Sequence, residues 1–202
     1  MTLPAVSGIV LAGGASSRFG SDKLAAPFEG TTPLALAIGA LAALCAEVVV
    51  VLAPGDDRIL PRASVPLRAV HDPERHGGPL VGLLAGLEAA GEPIVLVGGG
   101  DMPTMAGAVL RALIAALVAA EGTEGALLVQ RGFDRPLPVA LRLGAATAAA
   151  RRLVSEDERR LRSLMGRLRL LRIAEADWRP LDPEAETLRD IDRPADLLDP
   201  RT

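Results

Sequence analysis

Two residues of opposite charge follow apolar, strand-like runs that end in glycine. Lys23 closes the stretch LAGGASSRFGSDK (11–23) and is the one lysine among the 22 lysines and arginines of the chain. Asp101 comes directly after PIVLVGGG (93–100). A lysine ammonium binds phosphate as a compact positive charge, and carboxylate oxygens are ligands that Mg²⁺ prefers. The pair therefore indicates a site for a polyphosphate and magnesium.

The stretch before Lys23 has the residues of an anion-binding turn. Gly13 and Gly14 allow the backbone to turn sharply and to approach a ligand closely, and successive N–H groups in such a turn bind anions. Arg18 adds a second cation. The spacing matches neither G-x-G-x-x-G nor G-x-x-x-x-G-K-[ST], which disfavours a dinucleotide-dependent oxidoreductase and a Walker A loop. A plain connection that contains glycines remains an alternative.

Asp101 and a pair of aspartates near the C-terminus each have two interpretations. Asp101 is either a metal ligand, which we favour, or the N-cap of a helix that begins near Thr104. In LRDIDRPADL (188–197), Asp190 and Asp192 are alternate residues of an extended segment and share one side of it. Asp192 is either a second metal ligand or part of a surface turn, and both interpretations stay open.

A third candidate loop is VHDPERHGGP (70–79). Asp72 follows a strand-like run and offers hydrogen-bond acceptors to a ribose or a guanine. Gly78 and Pro79 predict a tight bend before a helix, because proline suits the first helical position.

The elements that position these residues alternate along the chain. Strands are predicted at 7–12, 47–53, 67–72, 93–99, 125–130 and 136–142, the last weakened by two prolines. Helices are predicted at 33–46, 79–90 and 104–120. Nearly continuous apolar strands with helices between them predict one α/β domain of three layers with a mostly parallel sheet. Ligands then bind at the carboxyl edge of the sheet, in the loops after residues 12, 53, 71 and 98.

Composition excludes several other classes of protein. A net charge of -3 and a pI near 5.5 argue against a nucleic-acid binder, and no apolar run is long enough to predict a membrane span. The single cysteine, Cys45, excludes an internal disulfide framework and is predicted to be a buried, inert thiol. The N-terminus has no basic segment followed by an apolar one, as a secretory signal peptide would have. This feature and the single cysteine predict a cytoplasmic location.

The first loop is similar to that of a known family. Its pattern L-A-G-G-x-S-x-R-x-G-x-D-K resembles the MobA-like nucleotidyltransferases, with matches at Leu11, Ala12, Gly13, Gly14, Ser16, Arg18, Gly20, Asp22 and Lys23. The resemblance implies a Rossmann-like fold of the nucleotide-diphospho-sugar transferase type. It also implies transfer of GMP from GTP to Mo-molybdopterin with release of pyrophosphate, dependent on Mg²⁺, in molybdenum cofactor biosynthesis.

The same resemblance assigns roles to residues. Lys23, Arg18 and Asp101 are the implied catalytic residues, and Asp101 and Asp192 the implied metal ligands. The implied nucleotide-binding residues are Leu11, Ala12, Gly13, Gly14, Lys23, Asp72, Gly78, Pro79 and Asp101. Where the family usually has Asn-x-Asn, this chain has Asp190 and Asp192.

The acceptor is expected in the second half of the chain. By resemblance, residues 1–105 bind the nucleotide and residues 106–202 bind molybdopterin, with Arg135, Arg159 and Arg160 as candidate contacts. Proteins that supply molybdopterin or mature molybdoenzymes are expected partners. Two alternatives stay open: a related transferase with another base or acceptor, such as cytosine, a phosphosugar or phospholactate, and a nucleotide-binding adaptor without catalysis.

Overall fold

The structure, a computed structural model, describes residues 4–13, 22–74 and 77–197. Within these ranges the chain forms seven strands: β1 (Val6–Ala12), β2 (Glu47–Leu52), β3 (Leu67–His71), β4 (Ile94–Gly99), β5 (Gly125–Gln130), β6 (Phe133–Arg142) and β7 (Leu170–Ile173). The same ranges hold six α-helices: α1 (Pro33–Ala42), α2 (Pro79–Ala89), α3 (Gly107–Ala119), α4 (Leu143–Ser155), α5 (Leu161–Met165) and α6 (Glu175–Trp178). Short 3₁₀ turns follow at Arg179–Leu181, Glu186–Leu188 and Pro194–Leu197.

All the described strands join one sheet in the order β3-β2-β1-β4-β6-β5-β7. Every neighbouring pair is parallel except the two pairs that β6 makes, with β4 and with β5, which are antiparallel. The order runs outward from β1 to β3 in one direction and continues through β4 in the other. The predicted three-layer α/β fold with a mostly parallel sheet is confirmed, and its topological switch point lies between β1 and β4.

Helices cover both faces of the sheet. On one face α1 and α3 pack with Trp178 and Leu188 over the strand side chains that include Val10, Val50 and Leu96. On the other face α2, α4 and α5 pack over the alternate residues of the same strands. Because each central strand is buried on both sides, its sequence is apolar throughout instead of alternating, as in the run EVVVVL of β2.

Strand β6 differs from its prediction in length and position. Its prolines, Pro136 and Pro138, are placed without breaking the ladder, because the register against β5 shifts between Leu127 and Leu128. Across that shift Leu127 pairs with Val139 and Leu128 pairs with Arg135, so residues 136–138 form a bulge. Pairing with β4 begins only at Val139. The prolines therefore do not confine β6 to an edge of the sheet.

Two predicted helix boundaries are wrong. α1 ends at Ala42 instead of 46, because the chain turns and the Ala46 N–H donates to the carbonyl of Val6 at the start of β1. α3 begins at Gly107 instead of 104: the Thr104 hydroxyl donates to the carbonyl of Glu186, and the Ala106 N–H donates to the hydroxyl of Thr187. Contacts with the C-terminal segment thus override the local helix signal of Pro103 and Thr104.

Two further observations concern the predicted class of the protein. Cys45 is buried, and burial raises the pKa of its thiol to about 12, as predicted for an inert cysteine. None of the helices in the three described ranges combines the length and the apolar composition that crossing a membrane requires.

Candidate active site

The switch point of the sheet brings the loops after β1 and β4 into contact. The Gly100 N–H donates to the carbonyl of Leu11 at 2.9 Å, and an added Cβ at Gly100 would meet that oxygen at 3.3 Å. Gly13 lies as closely against the end of β2, since a Cβ there would be 3.3 Å from the Ala53 nitrogen. Glycine at these positions thus lets the strand ends approach one another, which gathers their loops at one edge.

Three of the residues predicted from the sequence meet at this edge. The Lys23 Nζ lies 2.6 Å from Oδ2 of Asp101 and 3.1 Å from Oδ1 of Asp192. The side chains of Lys23 and Asp101 are 13% and 28% exposed, whereas that of Asp192 is 61% exposed. The group is therefore partly shielded from water and open on the side of Asp192.

Electrostatics keep the Lys23 ammonium charged. Burial by itself favours the neutral amine, but the hydrogen bonds and the charges of Asp101 and Asp192 outweigh it, so the pKa of Lys23 is raised. A permanently positive group is thereby held between two carboxylates.

Lys23 is held in place through its neighbours. Asp22 Oδ1 accepts from the Leu24 N–H at 3.0 Å, which closes a tight turn around Lys23. The Leu24 side chain is buried in the core. Arg58, in the loop after β2, pairs with Asp22 Oδ2 at 3.2 Å and also with Asp56. The second loop of the site therefore braces the first.

Asp101 is positioned by the glycines before it. A Cβ at Gly99 would lie 2.5 Å from Asp101 Oδ1, so the carboxylate occupies space that only glycine leaves free. The interpretation of Asp101 as a helix N-cap is wrong, because α3 begins six residues later, at Gly107. The side chain is thus available to the site.

The C-terminal segment is connected to the site by a series of hydrogen bonds. The buried Asp182 carboxylate accepts from the backbone N–H groups of Glu186 and Thr187. Further along, the Ile191 N–H donates to the carbonyl of Asp101 at 2.9 Å. That bond sets Asp192 beside Lys23.

Asp192 lies in a surface turn, as one of its two interpretations predicts, and its role as a metal ligand stays a prediction. Its backbone N–H donates to the Asp196 carboxylate, as does that of Arg193, so the residue belongs to a turn before Pro194. Its side chain nevertheless bonds Lys23. A surface turn thus delivers a carboxylate to the cluster.

Asp190 lies in the same electrostatic environment. Although water reaches part of its side chain, the surrounding protein desolvates the carboxylate and, with the negative charge of Asp101, raises its pKa to about 6. The positive charge of Arg135 acts in the opposite direction. Arg135 also donates through Nη2 to the carbonyl of Leu188 at 3.4 Å, which ties β6 to the C-terminal segment.

The third loop makes its described contacts elsewhere. Asp72 accepts from the Glu74 N–H, and its Oδ2 would be 3.2 Å from a Cβ at Gly82 in α2. Desolvation raises the pKa of Asp72. Gly78 has φ +84°, and Pro79 is the first residue of α2, as predicted for a tight bend.

The tight bend at Gly78 is filled by an arginine from the second half of the chain. A Cβ at Gly78 would meet the Arg159 Cβ at 2.8 Å and its carbonyl oxygen at 2.9 Å. Arg159 itself pairs with Glu74 and Asp157. Arg160 is exposed and pairs with Glu158. These two arginines therefore lie beside the third loop but are engaged with local carboxylates.

The carboxylate oxygens of Asp101 and Asp192, which surround the Lys23 ammonium, are ligands of the kind that suits magnesium. No group of three or more histidine, cysteine, aspartate or glutamate side chains is arranged as a metal site in the described part of the chain. Magnesium, however, keeps several of its waters and takes only one or two protein carboxylates together with phosphate oxygens. The Lys23 ammonium, a cation held by Asp101 and Asp192, shows that these carboxylates converge on positive charge. Asp101 and Asp192 thus fit the ion.

Some predicted residues lie outside the described residues: Gly14, Ser16, Arg18 and Gly20.

Two residues at this edge of the sheet, Arg58 and Phe133, were not among the candidates predicted from the sequence. Arg58 stands in a loop that was predicted to face the ligand, but its bond to Asp22 depends on folding. Phe133 is 72% exposed at the turn between β5 and β6. An aromatic residue directly after Gly132, in a chain that is only 2% aromatic, is the sequence signal that could have identified it.

Comparison with known proteins agrees with this architecture. Residues 8–173 match the MobA-like NTP transferase domain. A probable molybdenum cofactor guanylyltransferase of Chloroflexus aggregans is 34% identical over 195 residues, which cover 95% of this chain and 91% of that protein. A protein of the same name from Mycobacterium tuberculosis is 34% identical, with 89% and 88% covered.

A solved structure has the same fold. The molybdopterin-guanine dinucleotide biosynthesis protein A from Archaeoglobus fulgidus superposes with a TM-score of 0.77 at 21% identity, with 95% of this chain and 94% of that chain covered. The matched domain spans most of the chain, and relatives above 30% identity extend over nearly its whole length. This chain therefore belongs to the MobA-like NTP transferase family.

Proposed function

We propose that this protein transfers GMP from GTP to Mo-molybdopterin and releases pyrophosphate. The proposal rests mainly on one observation: Lys23 donates hydrogen bonds to Asp101 and Asp192 at the switch point of the sheet. It supplies a cation and two carboxylates where α/β proteins bind nucleotides. The relatives named molybdenum cofactor guanylyltransferase support guanine as the base and molybdopterin as the acceptor.

The proposed reaction needs no nucleophile from the protein. An oxygen of the terminal phosphate of molybdopterin attacks the α-phosphorus of GTP and forms the new P–O bond. The bond from the α-phosphorus to the oxygen that bridges to the β-phosphate breaks, and its electron pair leaves with pyrophosphate. The protein's task is to hold the two substrates in line and to offset negative charge.

In this proposal Lys23 and the loop after β1 bind the triphosphate of GTP. Lys23 offsets the charge that moves from the attacking oxygen to the leaving pyrophosphate, with Arg18 as a second cation. We also assign contacts with the phosphates to Leu11, Ala12, Gly13 and Gly14. Asp72, Gly78 and Pro79 contact the ribose and the guanine.

Asp101 and Asp192 are the proposed magnesium ligands. The bound ion would act as a Lewis acid on the phosphate oxygens of GTP. Before GTP enters, Lys23 offsets the charge of the two carboxylates, which otherwise repel each other. The triphosphate then competes for the Lys23 ammonium, and this exchange frees Asp101 and Asp192 to bind metal.

The two halves of the chain have separate main tasks. We assign the nucleotide to residues 1–105 and the acceptor to residues 106–202, within a single domain. Asp192 is the exception, because it serves the nucleotide's metal from the second half. Arg135 is the preferred acceptor contact, while Arg159 and Arg160 would first have to leave Glu74, Asp157 and Glu158.

The cellular setting follows from the reaction. Molybdopterin must arrive from a protein that makes it and the product must pass to a maturing molybdoenzyme, so we propose partners of both kinds. The single thiol of the chain, Cys45, is buried and protonated, which agrees with a reducing cytoplasm.

The test is a transfer assay with each nucleotide in turn. Purified protein, Mg²⁺, Mo-molybdopterin and GTP are expected to yield pyrophosphate and a guanine dinucleotide in equal amounts, whereas CTP, ATP and UTP yield little. Faster transfer from CTP, or to a phosphosugar or phospholactate, would favour the related transferases. Binding of GTP without turnover would favour an adaptor. Glu88→Gln, which alters an exposed ion pair with Arg151, serves as an active control.

A further inference from the structure

Phe133 is a large aromatic side chain that the fold leaves in water. It is 72% exposed, although the remaining described phenylalanine, Phe28, and the one tryptophan are buried. It follows a turn in which Arg131 and Gly132 both have positive φ, which sets the side chain at the tip of the β5–β6 hairpin. An aromatic face offered to solvent is suited to stacking against another flat ring.

The hairpin tip lies at the edge of the sheet where the candidate active site is. β6 is antiparallel both to β4 and to β5. β5 therefore runs in the same direction as β4, and its carboxyl end meets the same edge as the carboxyl ends of β1 and β4. Phe133 thus follows the strand end that is equivalent to the one preceding Asp101.

Phe133 also faces the same side of the sheet as the C-terminal segment of the site. Residues directly opposite on neighbouring strands share a face, and Arg135 is opposite Leu128, whose side chain packs in the α1 and α3 layer. Phe133 is two residues before Arg135 and points the same way, about 7 Å further along the strand. The Arg135 bond to the Leu188 carbonyl lies on this same side.

The guanidinium of Arg135 makes few hydrogen bonds to the protein. Its Nε is shielded from solvent and has no hydrogen-bond partner among the described residues. Its Nη2 makes only a long bond, 3.4 Å, to the Leu188 carbonyl. The side chain as a whole is only half-buried, so guanidinium N–H groups other than that of Nε can donate to an incoming acceptor oxygen.

We propose that Phe133 and Arg135 form the subsite for the ring system of the acceptor, a proposal that rests on the proposed function. The pterin stacks on the exposed face of Phe133. Arg135, two residues after Phe133 and on the same face of β6, binds an oxygen of the acceptor and draws its anionic end toward Lys23. The subsite takes a planar heterocycle that carries a phosphate, and the phosphate end points to the site of transfer.

Steady-state kinetics test the subsite in the working enzyme. Phe133→Ala is expected to raise the KM for Mo-molybdopterin about fivefold to 150-fold, the range of aromatic stacking on one base, with kcat and the KM for GTP unchanged. Phe133→Trp is expected to restore the wild-type value. Ile59→Ala is the matched control, because Ile59 is 97% exposed in the loop after β2. An unchanged acceptor KM in Phe133→Ala overturns the proposal.

Arg135 is tested in the same assay. Arg135→Gln is expected to raise the KM for Mo-molybdopterin in the same direction while leaving the KM for GTP unchanged, because its partner is the acceptor. Arg172→Gln, which alters the exposed pair with Asp134 on the opposite face of the hairpin, is the control. Equal effects of the two substitutions would remove Arg135 from the subsite.

A binding measurement separates this proposal from the proposed function. In Phe133→Trp the new indole is exposed, whereas Trp178 is buried, so added 6-carboxypterin is expected to quench the new fluorescence. Adenosine at equal concentration, a flat ring of another class, is expected to quench it less. Quenching without GMP transfer would support the subsite and refute the proposed function. GMP transfer without quenching, and with an unchanged acceptor KM in Phe133→Ala, would support the function and refute the subsite.

Discussion

The ammonium of Lys23 lies 2.6 Å from the carboxylate of Asp101, a residue 78 positions away in the sequence. The bond joins the loop after β1 to the loop after β4, which are neighbouring strands of the sheet. A residue suited to phosphate and a residue suited to magnesium therefore share one place, as a site for a metal-bound triphosphate requires. Each of the following predictions alters one element of that arrangement or of its support.

Lys23→Arg keeps the positive charge but is expected to lower kcat/KM about 100-fold or more, the scale of losing one aligned donor to developing charge. The planar guanidinium is larger than the ammonium that now fits between Asp101 and Asp192, so it aligns differently with the phosphates. The assay is pyrophosphate release. Arg68→Lys, which exchanges the same two residue types at the ion pair with Glu47, is the control and is expected to leave activity unchanged. Full activity in Lys23→Arg would contradict the role of Lys23.

Asp101→Asn is expected to lower Mg²⁺-dependent turnover about 1,000-fold, because it removes the charge of the more shielded of the two proposed metal ligands. Asp192→Asn is expected to act mainly by raising the Mg²⁺ concentration needed for half-maximal rate, since the Asp192 side chain is 61% exposed. Magnesium titrations of both variants measure the difference. If Asp101→Asn kept its rate and its magnesium dependence, Asp101 would not be a ligand.

Arg58→Ala is expected to lower kcat/KM about fivefold, which corresponds to about 1 kcal/mol, the upper end for a surface ion pair, since the Arg58 and Asp22 side chains are 21% and 46% exposed. The substitution frees Asp22 and loosens the turn that holds Lys23, without touching a substrate. Arg58→Lys is expected to recover part of the loss, because a cation can still reach Asp22. A similar loss in Arg152→Ala, whose exposed pair with Glu156 lies on α4, would show that the effect is not specific to this loop.

The alkaline stability of the protein is expected to depend on Cys45. Its pKa is about 12 in the folded chain, against about 8.5 for an exposed thiol. Between these values the folded state keeps a proton that the unfolded state loses, so the free energy of unfolding falls as pH rises. The fall attributable to Cys45 is about 1.4 kcal/mol for each pH unit within that window.

Denaturant titrations at pH 8 and pH 10.5 measure this effect against Cys45→Ala. The chain has no tyrosine and one lysine, so few other side chains titrate in the same range. Lys23 titrates in both proteins and cancels in the comparison. Identical losses of stability in wild type and Cys45→Ala would show that the folded thiol is not shielded.

Gly78→Ala is expected to destabilise the fold by about 1–3 kcal/mol. The φ of +84° disfavours any side chain, and the new Cβ would meet Arg159 at 2.8 Å. Gly39→Ala is the matched control, since Gly39 lies in the middle of α1 with nothing within 4 Å of an added Cβ. That control is expected to stabilise by about 0.5–1 kcal/mol. Thermal unfolding measures both, and equal shifts would contradict the packing at Gly78.

Local patterns in the sequence were enough to predict the first four strands, their helices and the chemistry of their ends. Runs such as EVVVVL favour buried strands because branched side chains fit the pleat, and their boundaries differ from the structure by only one or two residues. Parallel strands present their carboxyl ends at one edge, so Lys23 and Asp101 could be assigned to the same edge from order alone.

Long-range contacts decided the rest. The insertion of β6 between β4 and β5, the start of α3 at Gly107 and the approach of Asp192 to Lys23 all depend on segments far apart in the chain. No local pattern encodes them, because pairing across the sheet is chosen by the packing of the whole core. Residue types thus determined which chemistry was available, whereas tertiary packing determined how side chains such as Arg58, Arg135 and Phe133 are placed around the candidate site.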